Sequence, residues 1–139
     1  MMMEFKFEIN GGDFSNAGMI SSLVKKTLKQ LNIDGLIIRR TVVALYEAEV
    51  NVVAHAFSGI VNVNVYPDKI KIKLTDHGPG IPDIDLAMQA GYSTASPAVR
   101  EMGFGAGMGL PNIKNNTDEL SIKSNVGEGT TLEFTNYFS

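Results

Sequence analysis

Glycine alternates with larger residues in the stretch Gly103-Phe104-Gly105-Ala106-Gly107-Met108-Gly109-Leu110, which leads through Pro111 into a predicted helix. Glycine tolerates backbone angles that other residues avoid and lets a ligand approach the main chain. A loop that leads into a helix N-terminus offers N–H groups to a phosphate chain, although an ordinary flexible loop has the same composition. The chain contains neither G-x-x-x-x-G-K-[ST] nor G-x-G-x-x-G. If it binds a nucleotide, it is therefore neither a P-loop protein nor a standard dinucleotide-binding protein.

A long helix is predicted upstream of this stretch, from Leu36 to about Phe57, and it is apolar on most sides. Three polar residues spaced four apart, Glu47, Asn51 and His55, lie in one row on one face of that helix. A carboxylate is rarely placed in a largely apolar helix without a partner or a task, although Glu47 and Asn51 could simply satisfy one another. We expect His55 to pack or to form hydrogen bonds rather than to act in catalysis. Glu49 lies two positions from Glu47, and we expect it to face solvent.

A predicted β-hairpin ends in a second glycine motif. Residues 61–65 and 70–74 alternate apolar with polar side chains on either side of a Pro67-Asp68 turn, which predicts an antiparallel pair with one apolar face. The second strand ends at Asp76, and His77-Gly78-Pro79-Gly80-Ile81 follows at once. This turn is either only a tight loop or a place where Gly78 and Gly80 let a planar ring lie against the backbone beside Asp76.

The remaining patterns complete a two-layer fold within a single domain, residues 1–139. The other predicted elements are a strand at 5–9, a helix capped by Asp13 or Ser15 and running to about Leu31, a short helix from Pro82 to about Ala90, a loop from Gly91 to Met102, a helix from Gly107 or Leu110 to Asn116, and two C-terminal strands joined by a turn at 126–131. About five largely one-sided strands and four or five helices predict an α+β, two-layer α/β sandwich, with helices on one face of a mixed, mostly antiparallel sheet. The loop from Gly91 to Met102 is long enough to be a functional lid.

Composition narrows the function classes. With 139 residues and 44% hydrophobic residues, the chain can bury a single core of ordinary size. A net charge of −3 argues against non-specific binding of nucleic acid, which requires a basic face. The absence of cysteine excludes a disulfide scaffold, a thiolate zinc site and a thiol nucleophile. The sequence has no signal-peptide pattern and no long apolar run, so we expect a cytoplasmic protein without a membrane segment.

Four motifs follow one another along the chain: Glu47-x-x-x-Asn51, Asp76-x-Gly78-x-Gly80, the run from Gly103 to Gly109, and Gly127-x-Gly129-Thr130. Between about residues 39 and 131, their order resembles the Bergerat ATP-binding fold of the GHKL superfamily, which gyrase, a heat-shock chaperone, histidine kinases and mismatch-repair ATPases share. Three further segments are similar to those of the small anti-sigma regulatory serine/threonine kinases of the stress-response switch type. They are Gly91-Tyr92-Ser93-Thr94, the pair Pro111-Asn112 and Ser124-x-x-Gly127.

The resemblance implies a role for each motif, with ATP and Mg²⁺ as cofactors. Asn51 would ligate Mg²⁺ through its side-chain oxygen, and Glu47 would be the general base. Asp76 would accept a hydrogen bond from the adenine amino group, with Gly78 and Gly80 giving the ring access. Thr130 or Thr131 would complete the adenine end through water. The phosphates would lie on N–H groups of the glycine run, which comprises Gly103, Gly105, Gly107, Gly109 and the following Leu110.

The resemblance also implies a function and a set of partners. We expect an ATP-dependent protein serine/threonine kinase that phosphorylates a small antagonist protein in a partner-switching system, with a sigma factor or other regulator as a further partner. The alternatives are a nucleotide-gated protein-binding module with little or no phosphoryl transfer, and a histidine-kinase-like ATPase domain that uses water as acceptor. Dimers are common among similar kinases, and the apolar N-terminal strand is a candidate contact for a homodimer.

Overall fold

The computed structural model describes residues 2–81, 88 and 109–139. Its elements in chain order are β1 (Met3–Asn10), a 3-10 turn (Phe14–Asn16), α1 (Met19–Gln30), α2 (Gly35–His55), β2 (Ser58–Val65), β3 (Lys69–His77), α3 (Gly109–Asn115), β4 (Glu119–Asn125) and β5 (Gly129–Tyr137). The predicted lid, the residues Gly103, Gly105 and Gly107 and, apart from Met88, the predicted helix at 82–90 lie outside the described residues. No helix in the described ranges is long and apolar enough to cross a membrane.

The five strands form one sheet in the order β1-β2-β3-β5-β4, and all four neighbouring pairs are antiparallel. The predicted hairpin is confirmed, with Val63 opposite Ile72 across β2 and β3. Since successive side chains point to opposite faces, one face of the sheet collects the apolar residues. Those of β2 and β3 are all buried: Val61, Val63, Val65, Ile70, Ile72 and Leu74.

The helices pack on this apolar face, which confirms the predicted two-layer sandwich. Helix α2 contacts α1, α3 and strands β1, β2, β3 and β5. Each layer contributes fully buried side chains to the core, among them Leu28 of α1, Leu45 of α2, Ile113 of α3 and Phe134 of β5. Burial of an apolar side chain of this size contributes roughly 2 kcal/mol to stability. The core therefore lies between α2 and the middle of the sheet.

The predicted start of the first helix was wrong. Helix α1 begins only at Met19, after Gly18, whose φ is 92°. The Asp13 carboxylate does not cap α1 but accepts hydrogen bonds from Ser15 Oγ at 3.1 Å and Asn16 Nδ2 at 2.9 Å. Asp13 and Ser15 therefore organise the 3-10 turn that precedes α1, because the left-handed backbone at Gly18 interrupts the helix.

Candidate functional site

The candidate site lies where the helix-facing rows of three strands end. In β3 the row of Ile70, Ile72 and Leu74 continues to Asp76. In β5 the residue before Leu132 and Phe134 on this face is Thr130, and in β4 the residue after Leu120 and Ile122 is Ser124. Because side chains alternate between the two faces, Asp76, Ser124 and Thr130 lie on one face, at one edge of the apolar core. Of the two predicted threonines, Thr130 is on this face and Thr131 is on the other.

Asp76 is half-buried and is held by the backbone of β5. Its Oδ1 accepts a hydrogen bond of 3.0 Å from the N–H of Thr130. Burial raises the pKa of Asp76, and the Thr130 N–H and the charge of His77 only partly oppose that rise. This hydrogen bond uses Oδ1, so Oδ2 remains to accept a hydrogen bond from a ligand.

The loop after β3 is fastened to the turn between β4 and β5. Pro79 accepts a hydrogen bond of 2.8 Å from the N–H of Gly127, and Ser124 Oγ accepts one of 2.7 Å from the N–H of Ile81. Gly80 has a φ of 78°, and a Cβ there would collide with the carbonyl of Asn125. The glycine at this position is thus explained by loop packing. Its contribution to ring access stays a prediction.

Two residues of the polar row on α2, Glu47 and Asn51, face the start of α3. Glu47 Oε1 accepts a hydrogen bond of 3.3 Å from Asn112 Nδ2. A Cβ at Gly109 would lie only 3.0 Å from Asn51 Nδ2 and 3.1 Å from Asn51 Oδ1. Glycine therefore lets the end of the glycine run approach the Asn51 amide closely. The structure thus places Asn51 beside Gly109 and Glu47 beside Asn112 of α3, and the roles of these residues stay predictions.

Two other predicted residues take positions that limit their roles. The side chain of Leu110 is buried in the core, so only its backbone N–H could serve a phosphate. His55 is half-buried, and burial lowers its pKa. A neutral imidazole at neutral pH is consistent with the packing role predicted for His55.

Glu49 does not face solvent as predicted. Its side chain is 2% exposed and lies against the start of α1. Oε2 accepts hydrogen bonds from the N–H groups of Gly18 at 2.9 Å and Ile20 at 3.3 Å. Oε1 accepts from the N–H and hydroxyl of Ser21, at 3.2 Å and 2.8 Å. The prediction was wrong because the face of α2 opposite Glu47 is covered by α1, whose N-terminal N–H groups require acceptors.

Once the start of α1 is known from the structure, one local feature indicates such a partner. Helix α1 has no acidic residue in its first turn, and its N-cap is Gly18, which has no side chain to cap the helix. A helix start of this kind needs an acceptor from elsewhere in the chain. The sequence does not show that this acceptor is Glu49, because the two residues lie on separate elements.

A family model that matches most of the chain establishes its family. Residues 15–136 match the histidine kinase-like ATPase domain. This chain belongs to the histidine kinase-like ATPase family. The resemblance inferred from the four motifs is thereby confirmed, and the family accounts for their order along the chain.

Two bacterial relatives of this histidine kinase-like ATPase carry regulatory names. The serine/threonine-protein kinase RsbT of Bacillus subtilis is 33% identical over 115 residues, and the match covers 80% of each chain. The anti-sigma F factor of Caldanaerobacter subterraneus is 34% identical over 99 residues, or 68% of this chain and 66% of that protein. The chain thus spans about two thirds of the length of the anti-sigma F factor.

Solved structures share the fold of this histidine kinase-like ATPase. A Mycobacterium tuberculosis structure with RsbU and RsbW domains superposes with a TM-score of 0.61 at 17% identity, over 95% of this chain and 32% of that chain. The mycobacterial sensor histidine kinase MprB superposes with a TM-score of 0.53 at 15% identity, over 97% of both chains. At these identities the likeness is one of fold, and it confirms the predicted ATP-binding fold.

Proposed function

We propose that this histidine kinase-like ATPase is an ATP-dependent protein serine/threonine kinase that phosphorylates a small antagonist protein in a partner-switching system. One observation carries the proposal: Asn51 of α2 lies against Gly109 at the end of the glycine run, and Glu47 contacts Asn112 of the helix that follows that run. Sequence similarity to a protein named as a serine/threonine-protein kinase and to one named as an anti-sigma factor supports a protein as the acceptor.

At the adenine end, Asp76 accepts a hydrogen bond from the amino group of the base. The geometry favours this role, because the carboxylate is fixed by the Thr130 N–H and is half-buried. An acceptor that is held in place before binding loses little entropy when the ligand arrives. Gly78 and Gly80 border the ring, and Thr130 completes this end of the site.

At the phosphate end, N–H groups of the glycine run hold the phosphate chain. Gly109 and Leu110 belong to this cradle, together with Gly103, Gly105 and Gly107. No cluster of three or more His, Cys, Asp or Glu within the described ranges could hold a metal ion. The residues fit Mg²⁺, which binds few protein oxygens and completes its shell with phosphates and water. The Asn51 side-chain oxygen would hold the ion, which would neutralise charge on the phosphates.

In the transfer step, Glu47 acts as the general base. It takes the proton of a serine or threonine hydroxyl on the partner as the oxygen attacks the γ-phosphorus, and the bond to the ADP oxygen breaks. The contact with Asn112 Nδ2 orients the Glu47 carboxylate toward the start of α3. Positioning and charge stabilisation provide most of the acceleration in such reactions.

Two matched variants test the assignment of roles. The experiment measures thermal unfolding with Mg-ATP and the transfer of labelled γ-phosphate to a purified antagonist protein. Glu47→Gln should keep the ATP-dependent rise in Tm and lose transfer by at least a hundredfold. Asn51→Ala should lose the part of that rise that depends on Mg²⁺. Full phosphorylation of the partner by Glu47→Gln would show that the base is assigned wrongly.

The proposal includes a homodimer that forms through β1. Within the described residues, this strand lies at one edge of the sheet and pairs only with β2. An open strand edge can pair with a second copy of the same strand. Light scattering after size exclusion should give twice the chain mass, and a proline at exposed Glu4 should reduce it to one chain mass.

A further inference from the structure

A groove of about 590 Å³ lies between α1 and α2, and Glu47 forms part of its wall. On the α2 side it is also lined by Val43 and Tyr46, and on the α1 side by Met19 and Lys25. Its volume is comparable to that of ligand-binding clefts in other proteins. Among the described residues, the groove therefore gives access to the proposed general base from the side of α1.

Glu47 lies between this groove and the proposed phosphate end of the site. Helices α1 and α3 both pack against α2. Glu47 lines the groove on the α1 side and accepts the hydrogen bond of 3.3 Å from Asn112 Nδ2 on the α3 side. In phosphoryl transfer the attacking hydroxyl and the leaving oxygen lie roughly in line, on opposite sides of the γ-phosphorus. With the phosphates at the start of α3, we expect the acceptor hydroxyl to arrive from the groove.

The two walls of the groove carry opposite charges that do not pair with each other. Glu47 lies on the α2 wall and exposed Lys25 on the α1 wall. Within the described part of the chain, no carboxylate lies within ion-pair distance of Lys25. Helix α1 contains three lysines and no carboxylate to balance them. A carboxylate on a partner would therefore find an unpaired cation at Lys25, across the groove from the proposed base.

The rim of the groove offers apolar anchors. Met19 is 53% exposed and Tyr46 is 39% exposed. The Tyr46 ring lies against Gly18, where an added Cβ would come within 3.0 Å of a ring carbon. A ring that is held in place before binding loses little entropy when it is covered, and aromatic residues and methionine are enriched in protein interfaces.

We propose that this groove binds the acceptor segment of the antagonist protein, in an extended form that brings a serine or threonine hydroxyl to Glu47 and a carboxylate to Lys25. The inference rests on the proposed kinase function. It adds the surface along which the partner reaches the base and the charge that the partner carries beside its hydroxyl. An exposed lysine on a helix is ordinary in itself. The test therefore compares Lys25 with a neighbouring lysine outside the groove.

The probes are four synthetic peptides, each with one central serine, incubated with the full chain and labelled Mg-ATP. Two peptides carry three glutamates before or after the serine, and two carry lysines at the same positions. The parent should phosphorylate the better acidic peptide with a kcat/KM about tenfold above that of the better lysine peptide. Equal rates, or a preference for lysine, would overturn the inference.

A matched pair of charge reversals locates the contact. Lys25→Glu should lower kcat/KM for the acidic peptide about tenfold, mainly through KM, and keep the Tm increase with Mg-ATP. Lys26→Glu changes the net charge equally at the next exposed residue of α1, which does not line the groove, and should keep the preference of the parent. Equal losses in the two variants would reveal a general effect of charge and overturn the inference.

Two further measurements separate this inference from its alternatives. A parent that phosphorylates the purified antagonist protein but none of the peptides would overturn the inference and leave the proposed function intact, whereas phosphorylation of neither would overturn both. Tyr46→Ala should lower kcat/KM for the acidic peptide and keep the mass of the parent in light scattering. A fall from two chain masses to one in Tyr46→Ala would place a second copy of the chain in the groove and overturn the inference.

Discussion

Asp76 combines a proposed binding role with a cost to folding. Its pKa in the folded protein is raised, chiefly by burial, against the lowering effects of the Thr130 N–H and His77. A carboxyl group whose pKa is higher in the folded state destabilises the protein when it is ionised. This cost is complete above the folded-state pKa and disappears as the pH falls below the unfolded value. At neutral pH the ionised Asp76 therefore lowers the stability of the ligand-free protein.

We predict that Asp76→Asn separates stability from binding. The amide oxygen can still accept the Thr130 N–H, so the free variant should be as stable as the parent at pH 7, or more stable. That advantage should vanish at acidic pH, below the pKa of an unfolded aspartate, where the parent carboxyl is protonated in both states. The Tm increase with Mg-ATP should be lost, because an amide group replaces one carboxylate oxygen. Thermal unfolding at both pH values measures this, with exposed Asp68→Asn as control; a large loss of stability at pH 7 would contradict it.

The sequence predicts the positions and contacts of some single residues better than those of others. The position of Asp76 near the end of a strand was predicted correctly, because alternation and a following glycine turn are both local signals; its role in a site stays a prediction. The solvent-facing assignment of Glu49 failed, because periodicity shows which residues share a face but not what covers that face. The hydrogen bonds of Ser124 were equally beyond the sequence, since their partners come from two different turns.

At the scale of elements, Glu49 fixes α1 against α2. Four donors at the start of α1 converge on its two oxygens. The same contacts prevent α2 from rotating about its axis, since Glu49 and Glu47 lie on different faces of that helix. The anchor therefore holds Glu47 and Asn51 toward α3, at the proposed nucleotide site.

We predict opposite outcomes for the same substitution at two positions of α2. Glu49→Gln should lower stability by about 3 kcal/mol, because its amide group would face buried N–H donors. Glu47→Gln should leave stability within about 1 kcal/mol of the parent, because Glu47 is half-buried and accepts one hydrogen bond from the residues that the structure describes. Urea unfolding measures both. Equal loss of stability in the two variants would contradict the anchoring role of Glu49.

A second junction joins α2 to the end of the sheet. Asp118 accepts a hydrogen bond of 2.8 Å from the Tyr137 N–H and pairs with Arg40 at 3.0 Å. The Tyr137 N–H lowers the pKa of Asp118 most; burial opposes this, and Arg40 lowers it further. A lowered pKa gives stability that is present above the unfolded value and is lost as the pH falls through the folded value.

We therefore predict that Asp118→Ala costs more stability than Arg40→Ala at neutral pH. The first change removes the acceptor of the Tyr137 N–H as well as the ion pair, and should cost about 1 kcal/mol. The second removes only a solvent-exposed ion pair and should cost about 0.5 kcal/mol. The difference should shrink at acidic pH, as the pH falls through the lowered pKa of Asp118. Denaturant titrations at both pH values would contradict this if Arg40→Ala were the more damaging change.

At the scale of the whole molecule, nucleotide binding should be visible as added stability. A ligand at about a hundredfold excess over its Kd stabilises the native state by about 2.7 kcal/mol. For a chain of this length, that corresponds to a Tm increase of roughly 10 °C. Differential scanning fluorimetry with Mg-ATP, Mg-ADP and neither measures the effect. An unchanged Tm with both nucleotides would remove the basis of the kinase proposal.

The overall architecture could be predicted from the sequence more fully than the pairing of its strands. Five one-sided strands and the order of the motifs indicated the two-layer fold, and the family match confirms it. The sequence left the sheet either mixed or antiparallel, because the pairing of β3 with β5 joins segments far apart in the chain. Only the two local hairpins, β2 with β3 and β4 with β5, could be placed with their partners from the pattern alone.

The helix-facing row of β3 ends at Asp76, so the proposed function depends on the number of residues in this strand. A residue inserted between Ile70 and Leu74 would shift the phase of every later position by half a pleat. Asp76 would then point away from the helices, and its neighbour would take its place. An insertion in the Pro67-Asp68 turn leaves the phase intact. In a library of single-residue insertions we therefore expect ATP binding to survive at the turn and to fail throughout the strand, even where the protein still folds.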